Sequence, residues 1–295
     1  MEGLVLRGIG SFYTVLLPDG ELLTCKARGR FRKDRISPLP GDRVEAARDE
    51  EGENGYLLEI LPRRNSLIRP AVANIDQLLI VLAMSAPKPD LLLTDKLILQ
   101  CELLGIRPVL ALNKCDAAED AAYIEGFCAQ YAPTGYPVYR ISAATGEGVD
   151  ALKEQLKGQI TCLAGQSAVG KTSLINRLLP GMDLPVGDLA AKTDRGRHTT
   201  RHAELWELPD GGYIVDTPGF SLLDPSELEP EELSALYPEM RELRQECRFP
   251  GCLHASEPDC MVKEALSEGK LSEGRYERYL VLLEYFKEMR KHRYD

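Results

Sequence analysis

Hydrophobic and polar positions alternate in short stretches over residues 1 to about 68: Gly3–Gly8, Phe12–Leu17, Glu21–Lys26, Asp42–Ala47 and Tyr56–Leu61. Alternation bounded by turn residues predicts strands. Pro18-Asp19-Gly20 supplies one turn, because proline presets φ and glycine accepts positive φ. Five short strands of this length fit an OB-fold barrel, and an SH3-like barrel would show the same pattern. From about residue 69 strand and helix patterns take turns. The apolar run Ile75–Met84 is followed by a helix over Leu91–Leu104, a strand at Pro108–Leu112, a helix over Glu119–Tyr131 and a strand at Pro137–Ile141. A helix at Val149–Leu156, a strand at Ile160–Ala164 and a helix over Thr172–Leu179 come next, then a hairpin from His202–Leu208 and Tyr213–Val215 around Pro209-Asp210-Gly211-Gly212. Such alternation predicts a mostly parallel sheet with helices on both faces and ligands at the carboxyl ends of its strands. In the last stretch, Ser272–His292, the apolar Tyr276, Tyr279, Leu280, Leu283 and Phe286 fall at helical spacing, a face expected to be core. The expected division is a barrel at 1–68, an α/β domain at 69–224 and a helical domain at 225–295.

Composition changes this picture little. A chain of 295 residues, 44% hydrophobic and 28% charged, suits two or three globular domains. No apolar run approaches the roughly 20 residues of a membrane span, and the N-terminus lacks a signal-peptide pattern, so a cytoplasmic protein with no membrane partner is expected. The net charge of −10 argues against indiscriminate nucleic-acid binding. One local exception is Lys26-Ala-Arg-Gly-Arg-Phe-Arg-Lys-Asp-Arg35, either a solvated loop or, with Phe31 available to stack on a base, an RNA contact. Cys25, Cys101, Cys115, Cys128 and Cys162 are scattered as reduced thiols would be.

Chemistry concentrates at predicted strand ends. Gly165, Gln166, Ser167, Ala168, Val169, Gly170, Lys171 and Thr172, followed by Ser173, spell a G-x-x-x-x-G-K-[ST] loop between strand and helix. There backbone N–H groups and a helix N-terminus cradle phosphates, Lys171 reaches the β- and γ-phosphates and the Thr172 hydroxyl holds Mg²⁺. The alternative is a glycine-rich turn that happens to carry a lysine. Asn113-Lys114-Cys115-Asp116 follows another strand; the Asp116 carboxylate can accept from guanine N1–H and the 2-amino group, Asn113 faces the other edge and the Lys114 stem packs under the base. Adenine would leave that carboxylate unpaired. Ser142-Ala143-Ala144 can donate a backbone N–H to guanine O6, and Asp216-Thr217-Pro218-Gly219 can hold Mg²⁺ through Asp216 and meet the γ-phosphate through the Gly219 N–H. GTP and GDP are therefore the expected ligands. The base loops precede the phosphate loop, the reverse of ordinary GTPases, which reads as a circularly permuted GTPase domain.

Cys247, Cys252, His254 and Cys260 form a C-x4-C-x-H-x5-C set. Three thiolates and an imidazole suit one structural Zn²⁺ per chain; unligated free thiols are the alternative. Phe220 stands where many GTPases carry a water-orienting Gln, so intrinsic hydrolysis should be slow. His198, in Gly196-Arg-His-Thr-Thr-Arg201, is the nearest candidate to position the water, or else an RNA contact or a packing residue. Thr199 and Thr200 are the candidate switch residues, with Thr200 on Mg²⁺.

With N-K-C-D, G-Q-S-A-V-G-K-T, G-R-H-T-T-R, D-T-P-G-F and the clustered cysteines all present, the chain resembles, over its whole length, the bacterial family of ribosome small-subunit-dependent GTPases (RsgA, also called YjeQ). Ala168 replaces a glycine of that family's loop, at one of the x positions. The resemblance implies a monomeric factor in late maturation of the small (30S) ribosomal subunit. It would contact 16S rRNA and other assembly factors, with GTP hydrolysis stimulated by the subunit and GTP state controlling binding and release. A signalling switch acting on protein effectors without RNA is the competing reading.

Overall fold

The computed structural model describes residues 1–27, 31, 36–49, 54–182, 184, 203–215 and 228–292. Strands β1 (Glu2–Ile9), β2 (Phe12–Leu16), β3 (Leu22–Ala27), β4 (Arg43–Arg48) and β5 (Gly55–Ile60) close a barrel in the order β1-β2-β3-β5-β4. β3 runs parallel to β5, and every other pairing is antiparallel. A five-strand meander would not place the third and fifth strands side by side, so the order selects the OB-fold over the SH3-like alternative. Val5, Val15, Leu23, Cys25, Val44 and Leu57 fill the barrel. Phe31 packs with them at 7% exposure, so the expected stacking aromatic is a core residue. Phe12 is the exposed ring near the basic run, with the Lys26 ammonium 5.1 Å from its centroid.

A short ribbon of β6 (Ser66–Leu67) and β7 (Val72–Ala73) leads into a sheet of order β10-β9-β8-β11-β13-β12. Its members are β8 (Gln77–Ala83), β9 (Arg107–Asn113), β10 (Val138–Arg140), β11 (Ile160–Ala164), β12 (Leu205–Glu207) and β13 (Tyr213–Val215). Only the edge strand β12 is antiparallel, so the chain leaves β8, β9, β10, β11 and β13 at one edge of the sheet. β8 is buried on both faces, and its side chains alternate between two cores. Leu78, Ile80 and Leu82 meet α1 (Leu91–Leu104) and α2 (Ala121–Tyr131); Leu79, Val81 and Ala83 meet α3 (Val149–Leu156) and α4 (Lys171–Leu178). α2 begins two residues later than its pattern suggests, because the Asp120 side chain accepts from Ala122 N and caps it there.

Beyond residue 228 come the short α5 (Pro238–Arg241), then α6 (Met261–Ser267) and α7 (Glu273–His292). Tyr279, Leu283 and Phe286 of α7 are core as expected, and Leu99 of α1 joins the same cluster. Among the described residues no helix is long and apolar enough to cross a membrane.

Candidate functional site

The loops that leave β9, β10 and β11 meet at one edge of the sheet because those strands are parallel. Asn113, the last residue of β9 and 2% exposed, ties them together. Its Nδ2 donates to Val169 O at 2.8 Å in the phosphate loop, and its Oδ1 accepts from Ala143 N at 2.9 Å in the loop after β10. Lys114, in the left-handed conformation at φ 61°, sends its ammonium to Ala168 O at 2.8 Å and Ala86 O at 2.6 Å. One dipeptide thus couples the base loops to the phosphate loop. Ser142 closes its own turn, accepting from Thr145 N through Oγ at 3.1 Å and from Gly146 N through its carbonyl at 2.8 Å.

Two glycines of the phosphate loop are dictated by close approach. A Cβ on Gly165 would lie 2.2 Å from Val81 O of β8, and one on Gly170 would lie 2.3 Å from Asn113 Nδ2. Gly170 has φ 96° and starts α4, so Lys171, the mostly buried Thr172 and Ser173 occupy the helix's first turn. The Lys171 ammonium folds over Gly165 O at 2.8 Å and Gln166 O at 2.5 Å, and burial holds its pKa below the usual lysine value. Those carbonyl contacts keep a cation over the loop where phosphate oxygens would lie. Ala168 has φ 63°, a conformation costing a non-glycine residue about 1–2 kcal/mol, which explains why glycine suits that position. The Gln166 amide oxygen accepts from Asp90 N at 2.9 Å, joining the loop to the N-terminus of α1.

The cysteine-rich segment gathers its four groups as its spacing suggests. One ligand atom from each of Cys247, Cys252, His254 and Cys260 lies within 4.8 Å of all the others. His254 Nδ1 is 3.3 Å from Cys260 Sγ and 3.6 Å from Cys247 Sγ, and those two sulfurs are 4.0 Å apart. A tetrahedral zinc with bonds of about 2.3 Å to sulfur and about 2.0 Å to nitrogen sets its ligand atoms roughly 3.5–3.8 Å apart, so the set fits that ion. Burial pushes the Cys252 thiol up to about 12, so a bound cation would be needed to ionise it, and holds the His254 imidazole below its usual value, in the neutral form a metal binds. The Glu257 carboxylate accepts from the N–H groups of Leu253 (2.9 Å), Ala255 (2.9 Å) and Ser256 (3.1 Å) and shapes the loop that carries His254. All eight cysteines are free thiols.

The RsgA GTPase family model matches residues 60–226, and the RsgA N-terminal domain model matches residues 2–57. The chain belongs to the RsgA GTPase family. Curated relatives called small ribosomal subunit biogenesis GTPase RsgA agree with this membership. The protein of that name from Caldanaerobacter subterraneus subsp. tengcongensis is 46% identical over 294 residues, covering 100% of this chain and 98% of the relative. The one from Ruminiclostridium cellulolyticum is 44% identical over 289 residues, covering 97% and 94%. Among solved structures, YjeQ from Thermotoga maritima is similar with a TM-score of 0.85 and 36% identity over 97% of this chain and 98% of that one. YloQ, described as a circularly permuted GTPase, has a TM-score of 0.83 and 33% identity over 97% and 95%.

Residues 113, 142 and 165 converge because β9, β10 and β11 run parallel, whatever the order of their loops along the chain. His198, Thr199, Thr200, Asp216, Gly219 and Phe220 lie outside the described residues, as do the arginines of the basic run. Asp116 sits in a short 3₁₀ turn, Cys115–Ala117, directly after Lys114.

Sequence reasoning missed a buried ionic joint between α1 and α7. Asp95 and Arg275 have side chains 1% and 2% exposed and meet at 2.6 Å. Arg278 reaches the other Asp95 oxygen at 2.5 Å, Tyr131 donates its hydroxyl to Asp95 at 3.0 Å, and Arg275 also binds Glu239 at 2.5 Å. The Arg275 guanidinium lies between the Tyr131 and Tyr237 rings, 5.0 Å from each centroid. The available signal was an aspartate embedded in the apolar run Leu91-Leu-Leu-Thr-Asp-Lys-Leu-Ile-Leu99.

Proposed function

We propose that the protein hydrolyses GTP during maturation of the small ribosomal subunit, with the subunit stimulating hydrolysis and GTP state governing its binding and release. The observation that carries the nucleotide assignment is Asn113, whose amide links the N-K-C-D loop, the Ser142-Ala143 loop and the phosphate loop. Family membership and the names of the relatives carry the ribosomal assignment. In this reading Asp116 pairs with guanine N1–H and the 2-amino group. The loop from Gly165 to Ser173 wraps the phosphates, Lys171 neutralises them, and Thr172 holds Mg²⁺ together with Thr200 and Asp216. Gly219 and Thr199 attend the γ-phosphate, and His198 orients the attacking water once the subunit is engaged.

The domain division is 1–68, 69–224 and 225–295. The barrel, with Lys26 beside Phe12 on its surface, contacts 16S rRNA. One Zn²⁺ on Cys247, Cys252, His254 and Cys260 staples the third domain, and the protein acts as a cytoplasmic monomer alongside other assembly factors. Co-sedimentation with purified small subunits tests the reading. Binding should be tighter with a non-hydrolysable GTP analogue than with GDP and should weaken steeply as salt rises. Failure to sediment in either nucleotide state would overturn it.

A further inference from the structure

The loop after β10 is held from below by a residue to which no motif assigns a role. Arg177, in the last turn of α4, donates from Nε to Ala143 O at 3.3 Å and from Nη2 to Ala144 O at 2.5 Å. Gly146, at φ 93°, sits beside it: a Cβ there would lie 3.6 Å from Arg177 Cζ, in ordinary van der Waals contact. Much of the loop's remaining hydrogen bonding is internal or goes to Asn113. Ser142 O accepts from Gly146 N, Ser142 N donates to Glu147 O, Thr145 N donates to Ser142 Oγ, and Ala143 N donates to Asn113 Oδ1. The Ala144 N–H has no hydrogen-bond partner among the described residues.

That leftover donor and the carbonyl of Ala143 belong to one peptide group. In a trans peptide the C=O and N–H point in opposite directions, so a guanidinium gripping the carbonyl fixes where the N–H points. The positive charge also polarises the peptide and strengthens its donor. Arg177 lies on the same helix as Lys171 and Thr172, six residues on, or about 9 Å along the axis at 1.5 Å per residue. The helix that starts at the phosphate loop therefore ends by setting the plane of the Ala143–Ala144 peptide.

We propose that Arg177 is a positioning residue for guanine recognition: its fork on Ala143 and Ala144 presents the Ala144 N–H to the 6-oxo group of the base. The inference rests on the nucleotide-site reading above. Three nucleotides bracket the contacts. GDP carries the 6-oxo group, the N1–H and the 2-amino group; IDP lacks only the 2-amino group; 2-aminopurine riboside diphosphate keeps the 2-amino group but lacks the 6-oxo group and, with it, the N1–H that Asp116 would accept, so each nucleotide is read as its own ratio of variant to wild type.

Equilibrium titration of the full chain and of Arg177→Ala tests the proposal. Affinity for GDP and IDP should fall together by about tenfold, the scale of one good hydrogen bond. Affinity for 2-aminopurine riboside diphosphate should stay within about twofold, and the GDP-to-IDP ratio should not move. Arg177→Lys, which retains the charge and can reach one carbonyl but cannot span both, should fall between wild type and alanine. It also serves if the alanine variant folds poorly. Equal losses for all three nucleotides would make Arg177 a general prop and overturn the proposal, as would unchanged GDP affinity. Asp116→Asn in the same titration separates the two claims. If it shifts preference toward XDP while Arg177→Ala changes nothing, only the Arg177 proposal fails; if wild type does not prefer GDP over ADP, both fail.

Discussion

The joint around Asp95 and the cluster around Asn113 both tie together segments far apart in the chain, yet they are built from opposite materials. Around Asn113 the bonds run between a neutral amide and backbone groups, with Lys114 and Arg177 pointing at carbonyls rather than carboxylates. Around Asp95 the bonds are ionic, and Asp95, Arg275 and Glu239 are withdrawn from water. Buried charges stay charged only while their partners remain, so such a joint holds as a unit or fails as one. The Asp95 and Glu239 carboxylates hold the Arg275 guanidinium protonated beyond its usual range, against the pull of burial. Neutral cross-links to backbone carbonyls lose only modest free energy when one is broken, which suits loops that must admit and release a ligand. The two clusters touch through α1, whose first residue follows Asp90, the donor to Gln166, and whose fifth residue is Asp95.

Breaking the C-terminal side, at its Cys/His set or at the ionic joint, should have the largest effects. A zinc chelator should remove a metal whose binding is worth about 10 kcal/mol or more in small zinc domains. Residues 228–292 should then lose protection in hydrogen exchange, α7 should undock from α1, and elemental analysis beforehand should find one zinc per chain. No zinc in protein purified without chelators would contradict this. Asp95→Ala should cost about 3–5 kcal/mol in urea unfolding, because it strands Arg275 in the interior. Less than about 1 kcal/mol would mean that the joint is hydrated and no stronger than a surface ion pair.

Breaking the neutral side should alter ligand choice rather than folding. Asp116→Asn should weaken GTP by about 2–3 kcal/mol and favour XTP, whose 2-oxo group needs a donor, with the urea midpoint unchanged. Unchanged GTP affinity would remove Asp116 from the base site. Ala168→Gly should be the smallest change, a gain of about 0.5–1 kcal/mol from relief of positive φ less the added freedom of the unfolded chain. A loss of stability would show that Ala168 sits in the loop without strain.

The same contrast governs what could be read from the residues alone. The N-K-C-D, S-A-A and phosphate loops, which the sheet brings to one edge, are legible because each motif is contiguous and its chemistry needs particular side chains at fixed offsets. The set of Cys247, Cys252, His254 and Cys260 is legible for the same reason, its members falling within fourteen positions. Arg275 was not, because the helical period correctly marks Tyr279, Leu283 and Phe286 as core while a charged residue on that face reads as solvated. Its partner is 180 residues away. Phe31 misled in the opposite sense: flanking arginines and lysines suggest an exposed ring, yet the barrel buries it. Strand order was also hidden, since alternation reports which residues face inward and not that β5 lies beside β3.

The central claim is that this is a GTPase whose chemistry is completed by its ribosomal partner. The direct test is the single-turnover rate of GTP hydrolysis by the full chain with and without purified small ribosomal subunits. Hydrolysis should be slow alone and rise by roughly two orders of magnitude or more with the subunits, most of the rise being lost in His198→Ala without loss of GTP or subunit binding. Equal rates with and without subunits would contradict the claim, and full stimulation in His198→Ala would assign the water to another residue or to the ribosome itself.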